Sequence, residues 1–333
     1  MTNPQKSRPR ILSGMRPTGK LHLGHLAGVL QNWIKLQEEY ESYHFVADWH
    51  ALTTDYADTS ELRTNTVEMV MDWLAVGLDP AKATFFLQSR LPEHAELHLL
   101  FSMATPLGWL ERVPTYKEQL DNIRDRDLHT YGFLGYPVLQ AADILIYKAH
   151  FVPVGEDQVP HVELTREIAR RFNGFYGNVF PEPQALLTST PRVRGTDGRR
   201  MSKSYGNSIL ISDPPEVVRE KAAAMMTDPA RKRRTDPGNP DICPVFDLHK
   251  IFSKKETIDQ VNRECRTAEI GCVYCKKLMA QHLNCALAPI QERREPYEKK
   301  PQQVWDVLEA GTNKARKVAQ ATMAEVRAAV KLT

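Results

Sequence analysis

Apolar residues along the first two-thirds of the chain follow two alternating patterns. Short apolar runs are typical of buried strands, whereas apolar residues three and four positions apart indicate amphipathic helices. Strands are predicted at residues 11–15, 43–48, 84–88 and 151–154, and helices at 24–39, 60–78, 93–103, 134–148 and 158–172. This alternation predicts an α/β fold with a doubly wound parallel sheet, a Rossmann-like domain that binds its ligand at the carboxyl ends of the strands.

The pattern becomes almost entirely helical after Asp213-Pro214-Pro215. We therefore predict two domains, a Rossmann-like domain at residues 1–210 and a smaller all-helical domain at 211–333. A connector rich in Pro, Asp and basic residues lies between Thr227 and Asn239. The closing stretch from Val304 to Leu332 is amphipathic at helical spacing, which indicates packing within the protein rather than on a membrane surface.

Composition narrows the class of protein. The chain has 333 residues, of which 42% are hydrophobic and 26% charged, as is ordinary for a globular protein large enough for two domains. The amino terminus is polar and only a short apolar run follows it. Since apolar runs of membrane-spanning length are missing, we expect no signal peptide and no membrane segment. The sequence therefore predicts a cytoplasmic protein.

The first candidate site is the tetrad His22-Leu23-Gly24-His25, which follows a predicted strand and a loop with Pro17 and Gly19. A strand, loop and helix in this order point the helix N-terminal amides at a bound anion. The two imidazoles share one face of the helix start, where they can donate to phosphate oxygens, and Gly24 leaves no side chain in the way. Four residues recur by chance, however, and two ordinary histidines are an equal interpretation of the tetrad alone.

The second candidate site is the loop Arg200-Met201-Ser202-Lys203-Ser204, with glycines on both sides. Such a loop can close over a ligand and bring in Lys203 and Arg200 as cations. A solvated basic loop is the alternative for this segment alone. The two elements together, in this order, predict a protein that handles nucleotides.

These two motifs resemble the HIGH and KMSKS signatures of class I aminoacyl-tRNA synthetases. The resemblance implies that His22, His25 and Lys203 stabilise the charge that builds at the α-phosphate and on pyrophosphate while an amino acid carboxylate attacks ATP with Mg²⁺. It also implies that Lys117 reaches the ATP phosphates. The ATP-binding residues implied are Arg16, Thr18, Gly24, His25, Gly155, Asp157, Arg200, Met201, Ser202, Lys203 and Ser204.

The segment from Tyr136 to Asp143 indicates which amino acid the protein recognises. Tyr136, Gln140 and Asp143 are spaced to share one helix face. Burying the Asp143 carboxylate is costly unless it receives a hydrogen bond, and a donor-only indole N–H is a suitable partner. A structural hydrogen bond inside the fold is the alternative.

This segment resembles the amino acid pocket of the tryptophan and tyrosine enzymes, a closely related pair within the family. Tryptophan is favoured by further segments, at Asp48 to Ala51, Val152 to Arg166 and Pro289 to Arg293. The resemblance covers almost the whole chain. It implies that Asp143 accepts the indole N–H, that Tyr136 and Gln158 hold the substrate ammonium, and that His50 lies against the ring. It further implies tRNA(Trp) and L-tryptophan as partners, and a homodimer.

The sequence departs from the family pattern at three positions. Gln140, which we also place in the tryptophan pocket, stands where many tryptophan enzymes have Met. Because tyrosine enzymes use a Gln there, a tyrosine-specific enzyme remains the alternative. Arg200 replaces a Lys, and Arg16 replaces a Gln in the loop before the helix. A non-catalytic RNA-binding relative is a further alternative, as is a small-molecule adenylyltransferase, which would not need the helical region.

The five cysteines all lie in the last third of the chain, at positions 243, 265, 272, 275 and 285. A chain without a secretion signal disfavours disulfides, so a Cys-x-x-Cys pair with two more cysteines upstream predicts four thiolate ligands to a metal. We assign Cys243, Cys265, Cys272 and Cys275 as those ligands. Zinc and iron–sulfur clusters both accept four thiolates. A subset of the tryptophan enzymes has similar spacing and carries a [4Fe-4S] cluster in the anticodon-binding domain, so the resemblance favours that cluster, with zinc as the alternative.

Overall fold

A computed structural model describes residues 8–114, 116–118, 127–187 and 193–332. Its centre is a sheet of five parallel strands in the order β3-β2-β1-β4-β5. The strands are β1 Arg10–Met15, β2 Glu41–Val46, β3 Ala83–Leu87, β4 Phe151–Val154 and β5 Gln184–Leu187. The predicted α/β fold with a parallel sheet is therefore confirmed.

Helices surround the sheet and make up most of the last third. In the sheet region they are α1 Leu23–His25, α2 Gln31–Glu39, α3 Asp48–Asp55, α4 Leu62–Ala75, α5 Glu93–Ala104, α6 Leu107–Leu110, α7 Tyr131–Ile146 and α8 Val159–Tyr176. Beyond the sheet they are α9 Pro215–Ala224, α10 Pro244–Phe252, α11 Lys255–Arg266, α12 Cys272–Lys299 and α13 Gln302–Ala329. A π-helical turn, Leu26–Leu30, joins α1 to α2. None of the helices described has both the length and the apolar composition needed to cross a membrane.

The strand order reverses at β1, which pairs with β2 on one side and β4 on the other. The chain crosses to opposite faces of the sheet from this point, so a crevice opens at the carboxyl ends of β1 and β4. That crevice lies directly before the helix start that carries His22. The topology thus places the first motif where a parallel sheet binds ligands.

Two apolar cores lie on opposite faces of the sheet. Side chains of successive strand residues point to opposite faces, and Phe85 accordingly joins one core while Phe86 joins the other. The first core continues from Trp33 and Trp73 into the helical region, where it includes Phe246. Helices from both parts of the chain therefore bury apolar surface in one continuous core.

Several short elements were not predicted, among them α3, α6 and β5. The predicted strand at 43–48 ends at Val46, and α3 begins at Asp48. This helix is almost neutral in hydrophobicity and has little apolar periodicity, so the pattern carried no signal for it. Strand β5 is four residues long, lies at the sheet edge and is only partly buried, which leaves no alternating pattern to detect.

The last helix, α13, covers the edge strand β3. Its carboxyl half enters the second core through Ala315 and Ala319, and Thr312 Oγ1 accepts a hydrogen bond from the Leu87 amide at 3.4 Å. At Gly311 the helix approaches β3 so closely that a Cβ would lie 1.8 Å from the Phe85 carbonyl oxygen. The end of the chain thus packs on the sheet, and the domain boundary near residue 210 stays a prediction.

We predict that Gly311→Ala destabilises the protein by about 1–3 kcal/mol or more, because the added methyl group meets rigid backbone and the helix must move. Chemical denaturation measures this loss. Gly174→Ala is the matched control, since Gly174 also lies inside a helix but a Cβ added there would have no atom within 4 Å. We expect the control to be neutral or more stable by up to about 1 kcal/mol from helix propensity. Equal stability of Gly311→Ala and the parent would contradict the close packing of α13 on β3.

Candidate active site

A cleft of about 610 Å³ opens at the carboxyl ends of β1 and β4. Nine residues singled out in the sequence line it, namely Arg16, Thr18, His25, His50, Tyr136, Gln140, Asp143, Gly155 and Gln158. They come from segments up to about 140 residues apart in sequence. The fold therefore brings these nine candidate residues to one cavity, whereas His22, Gly24 and residues 200–204 are not among the residues that line it.

The two motifs are joined by backbone hydrogen bonds. The Leu23 amide donates to the Ile209 carbonyl at 3.0 Å, and the Ile211 amide donates to the Leu21 carbonyl at 2.9 Å. These bonds form a short antiparallel bridge between His22 and Leu210. Because residues 200–204 shortly precede this bridge, it holds the second motif beside the first.

Polar side chains of α4 and α12 stabilise the two segments that form this bridge. The Asp72 carboxylate of α4 accepts a hydrogen bond from the Leu21 amide at 2.8 Å and is itself paired with the buried guanidinium of Arg294 from α12. Gln291, about one turn earlier on α12, donates to the Asp213 carbonyl at 2.8 Å. The helical region therefore supports both motifs directly.

The two histidines of the first motif share a defined tautomer. His22 Nδ1 accepts from the Gly24 amide at 3.1 Å, and His25 Nδ1 accepts from the His22 amide at 3.2 Å. A neutral imidazole that accepts at Nδ1 carries its proton on Nε2. Both rings thus keep one N–H donor free of the helix start. A Cβ on Gly24 would lie 2.8 Å from the His22 ring, so glycine is required for this arrangement.

Both imidazoles are neutral near pH 7. Burial lowers the pKa of His22 to about 4, and the charges of Lys203 and Arg200 add to the effect. Burial lowers the pKa of His25 to about 3, assisted by His22 and the same two cations. The histidines can therefore donate hydrogen bonds to an anion without carrying positive charge themselves.

Lys203 supplies the positive charge. Its ammonium donates to the carbonyl and, at 3.3 Å, to the hydroxyl oxygen of Thr18 in the loop after β1. Burial lowers the pKa of Lys203, while the Asp72 charge opposes the shift. The ammonium thus lies between the two motifs, where an anion in the cleft would meet it.

Asn207 holds the second motif in shape. This side chain is buried, accepts from the Ser202 amide at 2.8 Å and donates to Asp197 at 2.7 Å and to the Arg200 carbonyl at 3.1 Å. The sequence pattern marked Asn207 only as a residue flanking the loop. Its position four residues beyond Lys203, next to a glycine, was the available signal.

Several predicted ATP-binding residues are engaged in contacts within the protein or lie at its surface. Arg16 donates to Thr54 and pairs with Asp55 at 3.1 Å, both on α3. Met201 is buried in the first core, whereas Arg200 is exposed at the loop surface. The Arg16 ion pair anchors the loop before α1 to α3.

Lys117 and Asp157 are exposed, and neither is among the residues that line the cleft. Lys117 lies in a short described segment, residues 116–118. The Gly155 carbonyl accepts from the Gln158 amide at 3.0 Å and so closes the turn that contains Asp157. The structure therefore does not bring these two predicted contacts to the cavity as it stands.

Asp143 lies at the end of the cleft and is fully buried. Its carboxylate accepts from His94 Nδ1 at 2.6 Å, from His50 Nε2 at 2.8 Å and from Gln88 Nε2 at 2.8 and 2.9 Å. Burial would raise the pKa of Asp143, but the hydrogen bonds from His50 and His94 outweigh it and lower that pKa. The cleft therefore ends at an ionised acceptor.

His50, expected to lie against a bound ring, is one of these partners and also lines the cleft. The Asp143 side chain is thus both a structural hydrogen-bonding centre and a wall of the cavity. A carboxylate has about four acceptor positions, so a donor from a ligand would share or replace the His50 contact. Tyr136 and His161 also line the cleft, and the Tyr136 hydroxyl lies 3.4 Å from His161 Nε2.

Gln88 and His94 were not predicted from the sequence. Both are fully buried, and His94 Nε2 also contacts the Tyr147 hydroxyl at 2.7 Å. Gln88 was predicted as the last residue of a strand, and a polar residue at that carboxyl end was the available signal. His94 lies in a helix whose contact with Asp143 spans 49 residues, which no local pattern reveals.

The four assigned cysteines lie where α10, α11 and α12 meet. Cys243 precedes α10, Cys265 is in the last turn of α11, and Cys272 and Cys275 are on the first turn of α12. Burial raises the pKa of Cys275 to about 12, and the charges of the other three thiolates also raise it. All five cysteines are free thiols.

No group of three or more His, Cys, Asp and Glu side chains is arranged to bind a metal ion within the residues described. Two arginines of the basic run 231–234 donate hydrogen bonds to the loop between Cys265 and Cys272. Arg231 donates to the Ile270 carbonyl at 2.7 Å, and Arg234 donates to the Ala268 and Glu269 carbonyls, the latter at 2.9 Å.

Comparison with known proteins bears on the cleft. The sequence profile of the family described as tRNA synthetases class I (W and Y) matches residues 4–288. The chain is 58% identical to the tryptophan–tRNA ligase of Thermotoga maritima over 325 residues, covering 97% of this chain and 99% of that protein. It is 49% identical to the tryptophan–tRNA ligase of Aquifex aeolicus, covering 97% and 100%.

The fold is also similar to a solved structure. The tryptophanyl-tRNA synthetase of Campylobacter jejuni, solved in complex with ADP and tryptophan, superposes with a TM-score of 0.87. The two sequences are 32% identical, and the match covers 97% of this chain and 100% of the other.

We predict that His22 and His25 both stay neutral, with the proton on Nε2, from pH 8 down to about pH 5. Long-range ¹H–¹⁵N NMR of the imidazole rings measures tautomer and titration together, and His22→Gln and His25→Gln assign the signals. Because burial lowers both pKa values, protonation should begin only as the pH approaches about 4. Titration of either ring near its ordinary value of 6.5, or an Nδ1–H tautomer, would show that the helix start is built differently.

Proposed function

This chain belongs to the family of class I tRNA synthetases for tryptophan and tyrosine, and we propose that its cleft carries out the tryptophan reaction. It activates L-tryptophan with ATP to give tryptophanyl-adenylate and pyrophosphate, and then transfers tryptophan to tRNA(Trp). The observation that carries this function is the joining of the two motifs beside a single cleft that ends at the Asp143 carboxylate. High identity to tryptophan–tRNA ligases over nearly the full chain supports it.

The phosphates of ATP would lie against the first motif. The Nε2–H groups of His22 and His25 would donate to phosphate oxygens, and both rings are held by hydrogen bonds from backbone amides to Nδ1. Donors fixed before the reaction need no reorganisation as charge develops. Mg²⁺ supplies further charge neutralisation on the pyrophosphate when it is bound with ATP.

Lys203 would act mainly in the transition state. Its ammonium donates to the Thr18 carbonyl, a neutral acceptor. An anionic phosphate oxygen is a much stronger acceptor for an ammonium than a carbonyl. Negative charge growing on the leaving pyrophosphate would therefore draw the Lys203 ammonium away from Thr18. Lys203 would then stabilise the transition state more than bound ATP.

Asp143 would select the amino acid. An ionised carboxylate only accepts hydrogen bonds and an indole N–H only donates them, so the two are matched. Gln88 and His94 hold the carboxylate in place from the buried side, while His50 occupies the side toward the cleft. Tyr136, Gln140 and Gln158 complete the tryptophan pocket in this proposal. A tyrosine-specific enzyme is the alternative.

We assign the helical region, residues 211–333, to tRNA binding, and we assign the cytoplasm as the location of the enzyme. Free thiols at every cysteine agree with a reducing compartment. We also propose a homodimer. Leu99 and Met103 lie four residues apart on α5 and are 53% and 74% exposed, and Leu107 at the start of α6 is 62% exposed. A second copy would bury these exposed apolar side chains.

We further propose a [4Fe-4S] cluster on Cys243, Cys265, Cys272 and Cys275, with zinc as the alternative. The chemistry of the donor set supports the proposal, because four free thiols come from three neighbouring segments, but within the described residues their side chains do not converge on a metal position. Four thiolates suit either an iron–sulfur cluster or zinc. Cys272 and Cys275 also lie at the N-terminus of a 28-residue helix, where negative charge is stabilised.

ATP–pyrophosphate exchange tested with each of the twenty amino acids, followed by charging of tRNA, tests the function. We expect exchange with tryptophan and transfer to tRNA(Trp). Faster exchange with tyrosine would favour the alternative, and no exchange with any amino acid would favour a non-catalytic relative.

We predict that Lys203→Ala lowers the rate of tryptophan-dependent exchange by about a hundredfold or more while tryptophan binding changes little. A cation that meets charge developed in the transition state acts on rate more than on ground-state affinity. Lys82→Ala is the matched control, because Lys82 is an exposed lysine paired with Glu38 far from the cleft. Exchange by Lys203→Ala within a few-fold of the parent would remove Lys203 from the catalytic set.

We predict that protein purified without oxygen is brown and contains about four iron atoms and four sulfides per chain. Cys272→Ser should lose the colour and much of the tRNA charging while keeping most of the exchange activity. Cys285→Ser is the control, since Cys285 is exposed and outside the ligand set, and it should stay brown. Colourless protein with one zinc per chain would establish zinc instead, and equal loss of both activities in Cys272→Ser would contradict a role confined to tRNA.

A further inference from the structure

A second cavity, of about 330 Å³, lies beside the last helix and away from the cleft lining. Arg63, Arg90, Arg316 and Trp305 line it, and Glu309 is the carboxylate among its lining residues. We call it the arginine cavity. We propose that it binds the phosphodiester backbone of the tRNA next to its 3′ end, an inference that rests on the proposed function.

The arginine cavity carries excess positive charge, because three arginines and one glutamate line it. None of its three arginines forms an ion pair with any residue that the structure describes, whereas arginines elsewhere, such as Arg170 and Arg327, are paired with glutamates. Guanidinium groups that outnumber nearby carboxylates repel one another, and a concave wall concentrates their field. Such a site favours an anionic ligand.

Two of the arginines are already positioned. The Arg63 guanidinium stacks over the Trp305 ring, 4.5 Å from its centroid. Arg316 donates to the Arg90 carbonyl at 3.0 Å and to Asn313 at 2.6 Å, which leaves further guanidinium N–H donors for a ligand. Guanidinium forks match the oxygens of a phosphate, and an aromatic ring can take a base or ribose beside it.

Two of the cavity's arginines lie on chain segments that also contact residues of the proposed active site. Arg90 ends the 3₁₀ turn that begins at Gln88, and Gln88 donates to Asp143. Arg63 is two residues before Asn65, and the Asn65 side chain lies next to Gly19. A Cβ added to Gly19 would be 3.0 Å from Asn65 Oδ1 and 3.5 Å from Lys203 Nζ. The segments that carry Arg63 and Arg90 therefore also contact residues at the phosphate end and the amino acid end of the proposed active site.

This position suits a strand whose end has entered the cleft. Leu87, the last residue of β3, lines the arginine cavity, and β3 is two strands from β1 in the sheet. Two strand spacings are about 10 Å, a distance that a few nucleotides cover. The transfer step requires the 3′ ribose of the tRNA at the adenylate, so phosphates just before that end would pass over the three arginines.

The test uses Arg63→Gln, Arg90→Gln and the double variant, with tRNA(Trp) binding measured over a range of KCl concentrations. The matched control is Arg170→Gln, since Arg170 is an exposed arginine on α8 that pairs with Glu167. Each cavity variant should weaken tRNA binding by about tenfold and lower the salt slope by roughly 0.7–0.9, as loss of one phosphate contact requires. Tryptophan-dependent exchange should stay within about twofold, which also shows that the variants fold.

Three outcomes would overturn the inference. Unchanged tRNA affinity and salt slope in the double variant would show that RNA does not use the arginine cavity. A raised KM for ATP with unchanged tRNA affinity would identify a free nucleotide as the ligand. Exchange lost as severely as tRNA binding would show that these arginines support the cleft instead. Failure of the parent protein to catalyse tryptophan-dependent exchange is a separate result, and it would refute the proposed function.

Discussion

The short antiparallel pairing of residues 21–23 with residues 209–211 is the constraint on which the active site depends. These segments are almost 190 residues apart, and two backbone hydrogen bonds between them place His22 beside the loop that carries Lys203. The pairing is itself held from the helical region, because Arg294 of α12 neutralises Asp72, which accepts the Leu21 amide. Packing of the last third of the chain thus reaches the two motifs through a buried ion pair, and loss of Arg294 would leave the buried Asp72 carboxylate without its partner cation.

The cleft combines two electrostatic environments. At the phosphate end, burial keeps His22 and His25 neutral, so that positive charge comes from the ammonium of Lys203 rather than from fixed imidazolium groups. At the amino acid end, Gln88, His94 and His50 keep Asp143 ionised although it is fully buried. In the proposed function, the cavity therefore has a fixed acceptor for the amino acid side chain at Asp143 and a fixed donor for the phosphates at His25.

The sequence predicted the elements with strong periodicity and the residues in compact motifs. Strands β1 to β4 contain short apolar runs, the long helices follow a period of 3.6, and the order of the two motifs predicted a nucleotide site. Contacts made by folding could not be predicted from local patterns. Gln88 and His94 reach Asp143 across 55 and 49 residues, and Arg16 turns to Asp55 on a helix that has no periodic signal. Packing of α13 on β3 depends on the absence of a side chain at Gly311, which a pattern of apolar residues cannot show.

The central claim is that both motifs and Asp143 act on one ligand in one cleft. A crystal structure of the protein bound to a non-hydrolysable analogue of tryptophanyl-adenylate tests it most directly. We expect the phosphate-derived group within hydrogen-bonding distance, about 3 Å, of Nε2 of His22 or His25, and the indole nitrogen at the same distance from the Asp143 carboxylate. An analogue bound with its ring away from Asp143, or with its phosphate end away from both histidines, would contradict this claim.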